Sequence, residues 1–166
     1  MSLAAAGHAE PHIVFSPGTI ISGFLPIRSE IDIGPLMERL AARGARLCLP
    51  AVLDRQTIVF REYRPGEELV GTGFGTSGPG SDAPVLDPEI LLMPLAAFDA
   101  DGNRIGYGAG HYDRAIARLL DKGMKPKLMG FAFSTQEVDH VPALAHDRPL
   151  DAVVTEKGHR RFGAEG

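Results

Sequence analysis

Ile90-Leu91-Leu92-Met93-Pro94-Leu95-Ala96-Ala97-Phe98, then Arg104-Ile105-Gly106-Tyr107-Gly108-Ala109-Gly110-His111-Tyr112-Asp113-Arg114, is the stretch that decides how this chain folds. Residues 90–98 carry no charge and do not alternate with polar residues, which is the pattern of a central strand buried on both faces. Asp99, Asp101, Gly102 and Asn103 supply a turn cluster. The glycine-rich segment then runs into Ala115, Ile116, Leu119 and Leu120, spaced along one face of a helix that should stop at Gly123. A buried strand, a glycine-rich turn and a helix form the repeating unit of a parallel sheet. Ligands of such a sheet sit beyond the carboxyl ends of its strands.

The same alternation extends outward. Residues 19–25, between Pro17-Gly18 and Pro26, read as a strand. Asp32 can cap a helix with Pro35 in its first turn, Leu36, Met37, Leu40 and Ala41 on one face, and Gly44 as its stop. Residues 45–49 and 56–63 read as strands linked around Asp54, the second with Ile58 and Phe60 on its apolar side. Residues 64–88 are rich in Gly, Pro, Ser and Asp, and a long loop with little internal structure is expected there. Strands at 127–133 and 151–155, joined by a polar crossover at 139–149, complete the pattern. An α/β layered domain with a largely parallel sheet flanked by helices follows. Its expected limits are 19–158, after a flexible lead-in at 1–18 and before a tail at 159–166. Met1-Ser2-Leu3 and Glu165-Gly166 look like expression-vector remnants.

Composition narrows the function. The 166 residues suit one domain, and 44% hydrophobic residues are enough for a real core. Seventeen Lys and Arg against twenty-one Asp and Glu give a net charge of -4, the wrong sign for a protein that binds nucleic acid through its phosphates. The apolar run at 90–98 is broken by Pro94 and falls far short of the ~20 residues of a membrane span. The first residues show no secretory pattern, so a cytoplasmic location is expected. Cys48, the one cysteine, lies in the apolar run ARLCLPAV and reads as a buried thiol rather than a nucleophile. His8, His12, His140, His146 and His159 lack zinc-site spacing.

Gly106, Gly108 and Gly110 let successive backbone N–H groups face one point ahead of a helix N-terminus, as a phosphate cradle requires. Three glycines also suit a plain tight turn. The cations Arg104 and Arg114, the rings of Tyr107 and Tyr112, and the carboxylate of Asp113 favour a ligand site. Asp113 suits either a helix cap or a Mg²⁺ ligand, with Asp147 as the candidate second carboxylate. The spacing in residues 104–114 is neither the G-x-G-x-x-G nor the G-x-x-x-x-G-K-[ST] phosphate loop.

The run from Pro94 to Asp99 with Gly102 to Arg114 resembles the signature of the 5-formyltetrahydrofolate cyclo-ligases, also called methenyltetrahydrofolate synthetases. The resemblance includes Ser22-Gly23-Phe24-Leu25, Ser29-Glu30-Ile31-Asp32, Leu49-Pro50, Phe131-Ala132-Phe133 with Gln136, Asp147, Leu150-Asp151 and Val153-Val154-Thr155-Glu156. It implies a fold like the NagB/RpiA/CoA-transferase-like group. The implied enzyme uses ATP and Mg²⁺ to close 5-formyltetrahydrofolate, polyglutamylated or not, to 5,10-methenyltetrahydrofolate. By the same resemblance, Arg104, Ile105, Gly106, Tyr107, Gly108, Ala109, Gly110, His111 and Tyr112 line the nucleotide, and Arg104, Tyr107, His111 and Tyr112 are the catalytic candidates. Leu25 and Glu30, with Tyr107 through His111, face the folate, and Asp113 and Asp147 hold Mg²⁺. A monomer or weak homodimer is expected.

Three departures stand out. The first 27 residues carry no Lys or Arg, where the family pattern has a basic segment; His111 replaces a Tyr; and Gly78-Pro79 replaces a Glu-Pro. A folate- or nucleotide-binding protein of the same fold without turnover is therefore an alternative. A sugar-phosphate isomerase on a related fold is a weaker one.

Overall fold

The computed structural model describes residues 7–25, 31–54, 57–66, 70–71, 77–80, 82–105, 111–142 and 149–162. The apolar run at 90–98 forms β7 (Ile90–Pro94) and lies in the middle of an eight-stranded sheet. The strands preceding it are β1 (Ile20–Ser22), β2 (Arg46–Val52), β3 (Ile58–Glu62), β4 (Val70–Gly71), β5 (Ser77–Gly78) and β6 (Val85–Leu86). After it come β8 (Ala97–Phe98), β9 (Arg104–Ile105), β10 (Lys127–Phe131), β11 (Ala152–Thr155) and β12 (Gly158–Arg161). The order across the main sheet is β12-β11-β10-β7-β1-β2-β3-β6. The five strands β11-β10-β7-β1-β2 run parallel, and β12, β3 and β6 are antiparallel at the two edges.

Two helices cover opposite faces, α1 (Gly34–Ala42) and α2 (His111–Asp121). Because side chains alternate along a strand, each parallel strand feeds both layers. Leu47, Leu49, Leu92, Met129, Phe131 and Val154 pack with Leu36, Met37 and Leu40 of α1. Cys48, Leu91, Met93, Leu128 and Val153 pack with Ala115, Ile116 and Leu119 of α2. The absence of polar alternation in residues 90–93 thus reflects burial on both sides. Asp32 accepts the N–H of Gly34 at 2.8 Å where α1 begins, and Gly44 at φ +97° follows its end. Cys48 is fully buried, and burial pushes its thiol up to about 12, consistent with a core thiol. Among the described residues, no helix is long and apolar enough to cross a membrane.

The structure departs from the sequence pattern in four places. The strand expected over 90–98 ends at Pro94, where Ala96 N–H turns to the carbonyl of Ile105 at 2.8 Å and the chain leaves the sheet for the β8–β9 hairpin. The loop expected over 64–88 contains the β4–β5 hairpin and an edge strand, β6, paired with β3. These pieces are two residues long, too short to leave a periodicity. The strand at 151–155 is not the last of the sheet, because a turn at Glu156-Lys157 folds β12 back on β11, over residues 159–161 assigned to the tail. As an edge strand of Gly158, His159, Arg160 and Arg161, β12 has no apolar signal. Part of the lead-in is docked: Ala9 and Ile13 are buried in the α1 layer, and Arg43 of the α1 C-terminus donates to the carbonyl of Ile13 at 3.2 Å.

Gly130 of β10 lets the α2 layer close over the sheet. A Cβ there would meet Leu95 Cδ1 at 2.5 Å and Leu150 Cδ1 at 2.9 Å, both on side chains buried in that layer. Gly130→Val should therefore destabilise the fold by about 1–3 kcal/mol in denaturant unfolding. Unchanged stability would contradict this packing.

Candidate functional site

The parallel strands all end on the same edge, and hydrogen bonds tie three of those ends together. Gln136, just beyond β10, accepts the N–H of Phe133 at 2.6 Å and donates to the carbonyls of Leu95 and Ala96, beyond β7, at 2.8 and 3.2 Å. Glu156, beyond β11, accepts from the N–H and hydroxyl of Ser134 at 2.8 and 2.5 Å. The Ser134 bonds hold the Glu156 carboxyl below its ordinary value. The β8–β9 hairpin begins beside this bracket, and its turn reaches back to the start of β11, where the N–H of Leu150 donates to the carbonyl of Gly102 at 2.8 Å.

Asp99 organises that hairpin. Its residue is 1% exposed, and Oδ1 accepts the N–H groups of Asp101 and Asn103 at 2.9 and 3.0 Å. Oδ2 accepts Asn103 Nδ2 at 3.2 Å and the N–H of Val141 at 2.9 Å. Gly102, at φ +85°, completes the turn, as a residue with a Cβ could not do without strain. Burial opposes ionisation of Asp99, but the donors from Val141, Asn103 and Asp101 outweigh it and hold the carboxyl below its ordinary value.

One residue beyond the turn, Arg104 is folded inward with its side chain 8% exposed. Its Nη2 lies 2.6 Å from Oδ1 of Asp113, whose side chain is 32% exposed. Asp113 lies within the first turn of α2 rather than ahead of it, so its carboxylate is engaged by a cation nine residues back. Arg104 Nε is buried and has no hydrogen-bond partner among the described residues. A guanidinium offers a planar fork of donors, and here one arm holds a carboxylate while the neighbouring Nε has none. A buried unpaired donor is costly, of order 1–3 kcal/mol, and is a natural place for a ligand acceptor.

The structure brings several of the expected site residues together and leaves others undescribed. Arg104 and Asp113 are paired. His111 and Tyr112 open α2, half-buried, with Tyr112 against the α2 layer of the core. Ile105 is 45% exposed on the hairpin. Leu25 follows the end of β1 and packs, half-buried, against the α1 layer. Glu30, Gly106, Tyr107, Gly108, Ala109, Gly110 and Asp147 lie outside the described residues. Among the described residues, no three His, Cys, Asp or Glu side chains cluster as a metal site. Asp113 Oδ2 has no hydrogen bond among the described residues, so one carboxylate oxygen remains for a cation that takes only one or two protein carboxylates. Sequence patterns gave Asp99 only a turn and left Gln136 and Glu156 without a role, because the partners that tie them to other elements lie 22 to 42 residues away.

An open, largely parallel sheet with polar side chains gathered at its carboxyl edge defines an α/β protein of the class whose ligands generally bind at that edge. This chain belongs to the 5-formyltetrahydrofolate cyclo-ligase family, whose family model matches residues 2–156. The 5-formyltetrahydrofolate cyclo-ligase of Escherichia coli K12 is 34% identical over 141 residues, covering 81% of this chain and 76% of that protein. The solved 5,10-methenyltetrahydrofolate synthetase of Aquifex aeolicus superposes with a TM-score of 0.76 at 29% identity, over 97% of this chain and 80% of its own. That of Mycoplasma pneumoniae has a TM-score of 0.72 at 21% identity, over 94% and 85%, a likeness of fold.

The lowered value of Asp99 predicts a pH signature. A carboxyl held below its unfolded value stabilises the fold above the ordinary Asp range, near 3.9, and that contribution is lost as pH falls through the folded value. Asp99→Asn should lose about 1–3 kcal/mol at pH 7 and less at pH 3, as read by denaturant unfolding at both. An equal loss at the two values would contradict an ionised Asp99.

Proposed function

We propose that this chain catalyses the ATP-dependent closure of 5-formyltetrahydrofolate to 5,10-methenyltetrahydrofolate. The observation that carries the proposal is the buried Arg104, which holds Asp113 through Nη2 and has Nε unpaired among the described residues. This cation directly precedes the glycine-rich segment in sequence and reaches Asp113 in the first turn of α2. It suits a phosphate group, which accepts from several donors at once and needs its charge neutralised. Membership of a cyclo-ligase family supports turnover over binding alone.

In this reaction the formyl oxygen attacks the γ-phosphorus of ATP and the β–γ bridging bond breaks, releasing ADP. N10 of the folate then attacks the activated formyl carbon and gives up its proton to solvent, and phosphate leaves with the former formyl oxygen. No bond to the protein forms, so catalysis rests on holding the two substrates in line and on stabilising charge as it moves onto the phosphoryl oxygens. Arg104 is suited to that charge because its position is fixed before the substrate arrives: Asp113 holds Nη2, and Asp99 sets the turn that delivers it. Asp113 and Asp147 are proposed to hold Mg²⁺, which would neutralise phosphate charge. Tyr107, His111 and Tyr112, with the backbone of Ile105, Gly106, Gly108, Ala109 and Gly110, are proposed to line the phosphates and the folate. Leu25 and Glu30 are proposed to hold the pterin, whose ring N–H and amino groups pair with a carboxylate.

The test is formation of methenyltetrahydrofolate, followed by absorbance, with and without ATP and Mg²⁺. Product is expected only when both are present. Asp113→Asn should lower turnover by about 10²–10³ with little loss of folate binding, as expected when one charge-stabilising group is removed. No product with the full mixture would overturn the proposal, and undiminished turnover by Asp113→Asn would remove the metal assignment.

A further inference from the structure

The opposite edge of the sheet, where β10 and β11 begin, carries a groove that the proposed reaction does not use. Its cationic half is a cavity of about 520 Å³ whose lining includes Lys125, Lys127, Arg161, His12, His159 and Asp151. Its other half, also about 520 Å³, is lined largely by apolar groups, among them Leu120, Met124, Leu128 and Leu150. The two cavities adjoin, with Lys125, Pro126, Asp151 and Phe162 lining both. Lys127 opens β10, and Arg161 faces Ala152 at the start of β11, whereas Gln136 and Glu156 follow the other ends of these same strands.

The charge in this groove runs against the rest of the molecule. The chain has a net charge of -4, yet in the cationic half Lys125, Lys127 and Arg161 face one carboxylate, Asp151, with Asp101 lining the other half. That carboxylate is already engaged, accepting the N–H of Leu128 at 2.7 Å. Nearby cations are neutralised within the protein: Lys122 pairs with Asp87 and Arg160 with Glu137, each at 2.9 Å. Lys125, Lys127 and Arg161 form no ion pair among the described residues. The imidazoles of His12 and His159 stack with ring centres 3.8 Å apart and planes within 5°, so the docked N-terminal segment and β12 form one wall. His159 is held below its ordinary value by burial and by the positive groups His12, Lys127 and Arg161, as expected where local charge lacks a counterion.

We propose that this groove binds a small organic anion, with a carboxylate or phosphate head among Lys125, Lys127 and Arg161 and an apolar or aromatic body against Phe162, Leu120 and Met124. Three cations against one carboxylate supply the attraction, and the adjoining apolar cavity separates such a ligand from an inorganic ion. Each cavity falls within the range of about 300–1,000 Å³ that small ligands occupy. The groove lies at the other end of the strands from Gln136 and Glu156, and Asp101 of the Asp99 turn lines its apolar cavity.

The test is a titration of the full chain with phenyl phosphate, hexanoate and inorganic phosphate, followed by the NMR signals of His12 and His159. Phenyl phosphate and hexanoate should bind with Kd at or below about 1 mM, at least about tenfold tighter than inorganic phosphate. Bound anion should raise the pKa of His159, and Lys127→Glu should weaken phenyl phosphate by about tenfold or more. Saturating Mg-ATP should leave these responses in place. Equal binding of inorganic phosphate would mean an adventitious ion only and would overturn the proposal. So would no response at about 10 mM, insensitivity to Lys127→Glu, or loss of the signal on adding Mg-ATP.

Discussion

A carboxylate almost sealed from solvent organises the functional end of this protein. Asp99 receives four N–H donors, three from its own hairpin and one from Val141, forty-two residues along the chain. A buried charge is tolerated only when its lone pairs are filled, so the surrounding backbone is confined to the geometry that fills them. That geometry sets the hairpin turn and places Arg104 next to Asp113. It also anchors the start of the segment that leads toward Asp147. Gln136 and Glu156 support the arrangement from below by tying the ends of β7, β10 and β11 together.

The sheet explains why these polar groups gather where they do. Five parallel strands with helices on both faces leave little room for charge within the layers, and the buried residues there are overwhelmingly apolar. Polar chemistry is therefore pushed to the two edges where strands begin and end. At the carboxyl edge, cation and carboxylate are paired, with one buried donor left over; at the amino edge, three cations share one engaged acid. The same fold thus offers two unlike environments, one narrow and balanced, the other open and positive.

Much of this was legible in the sequence, for identifiable reasons. Residues 90–93 could be read as a doubly buried strand because burial on both faces removes the polar alternation. The helices at Gly34–Ala42 and His111–Asp121 announced themselves through apolar spacing and the glycines that follow them, Gly44 and Gly123. The long resemblance around Arg104 to Arg114 pointed to the cyclo-ligase family, to which the chain belongs. The illegible parts share a cause. Strand β12 and the β4–β5 pair owe their form to backbone pairing with neighbouring segments and show no apolar rhythm of their own. Asp99, Gln136 and Glu156 look like ordinary turn and surface residues until the fold supplies their partners. The amino-edge groove has the same character, since His12 and His159 meet only across the folded chain.

The account turns on Arg104 as the preset phosphate contact, and the most direct measurement is a crystal structure with Mg²⁺ and a non-hydrolysable ATP analogue. The nucleotide should lie at the carboxyl edge of the sheet, with Arg104 Nε donating to a phosphate oxygen. A nucleotide bound elsewhere, or one whose phosphates leave Arg104 Nε without an acceptor, would contradict it.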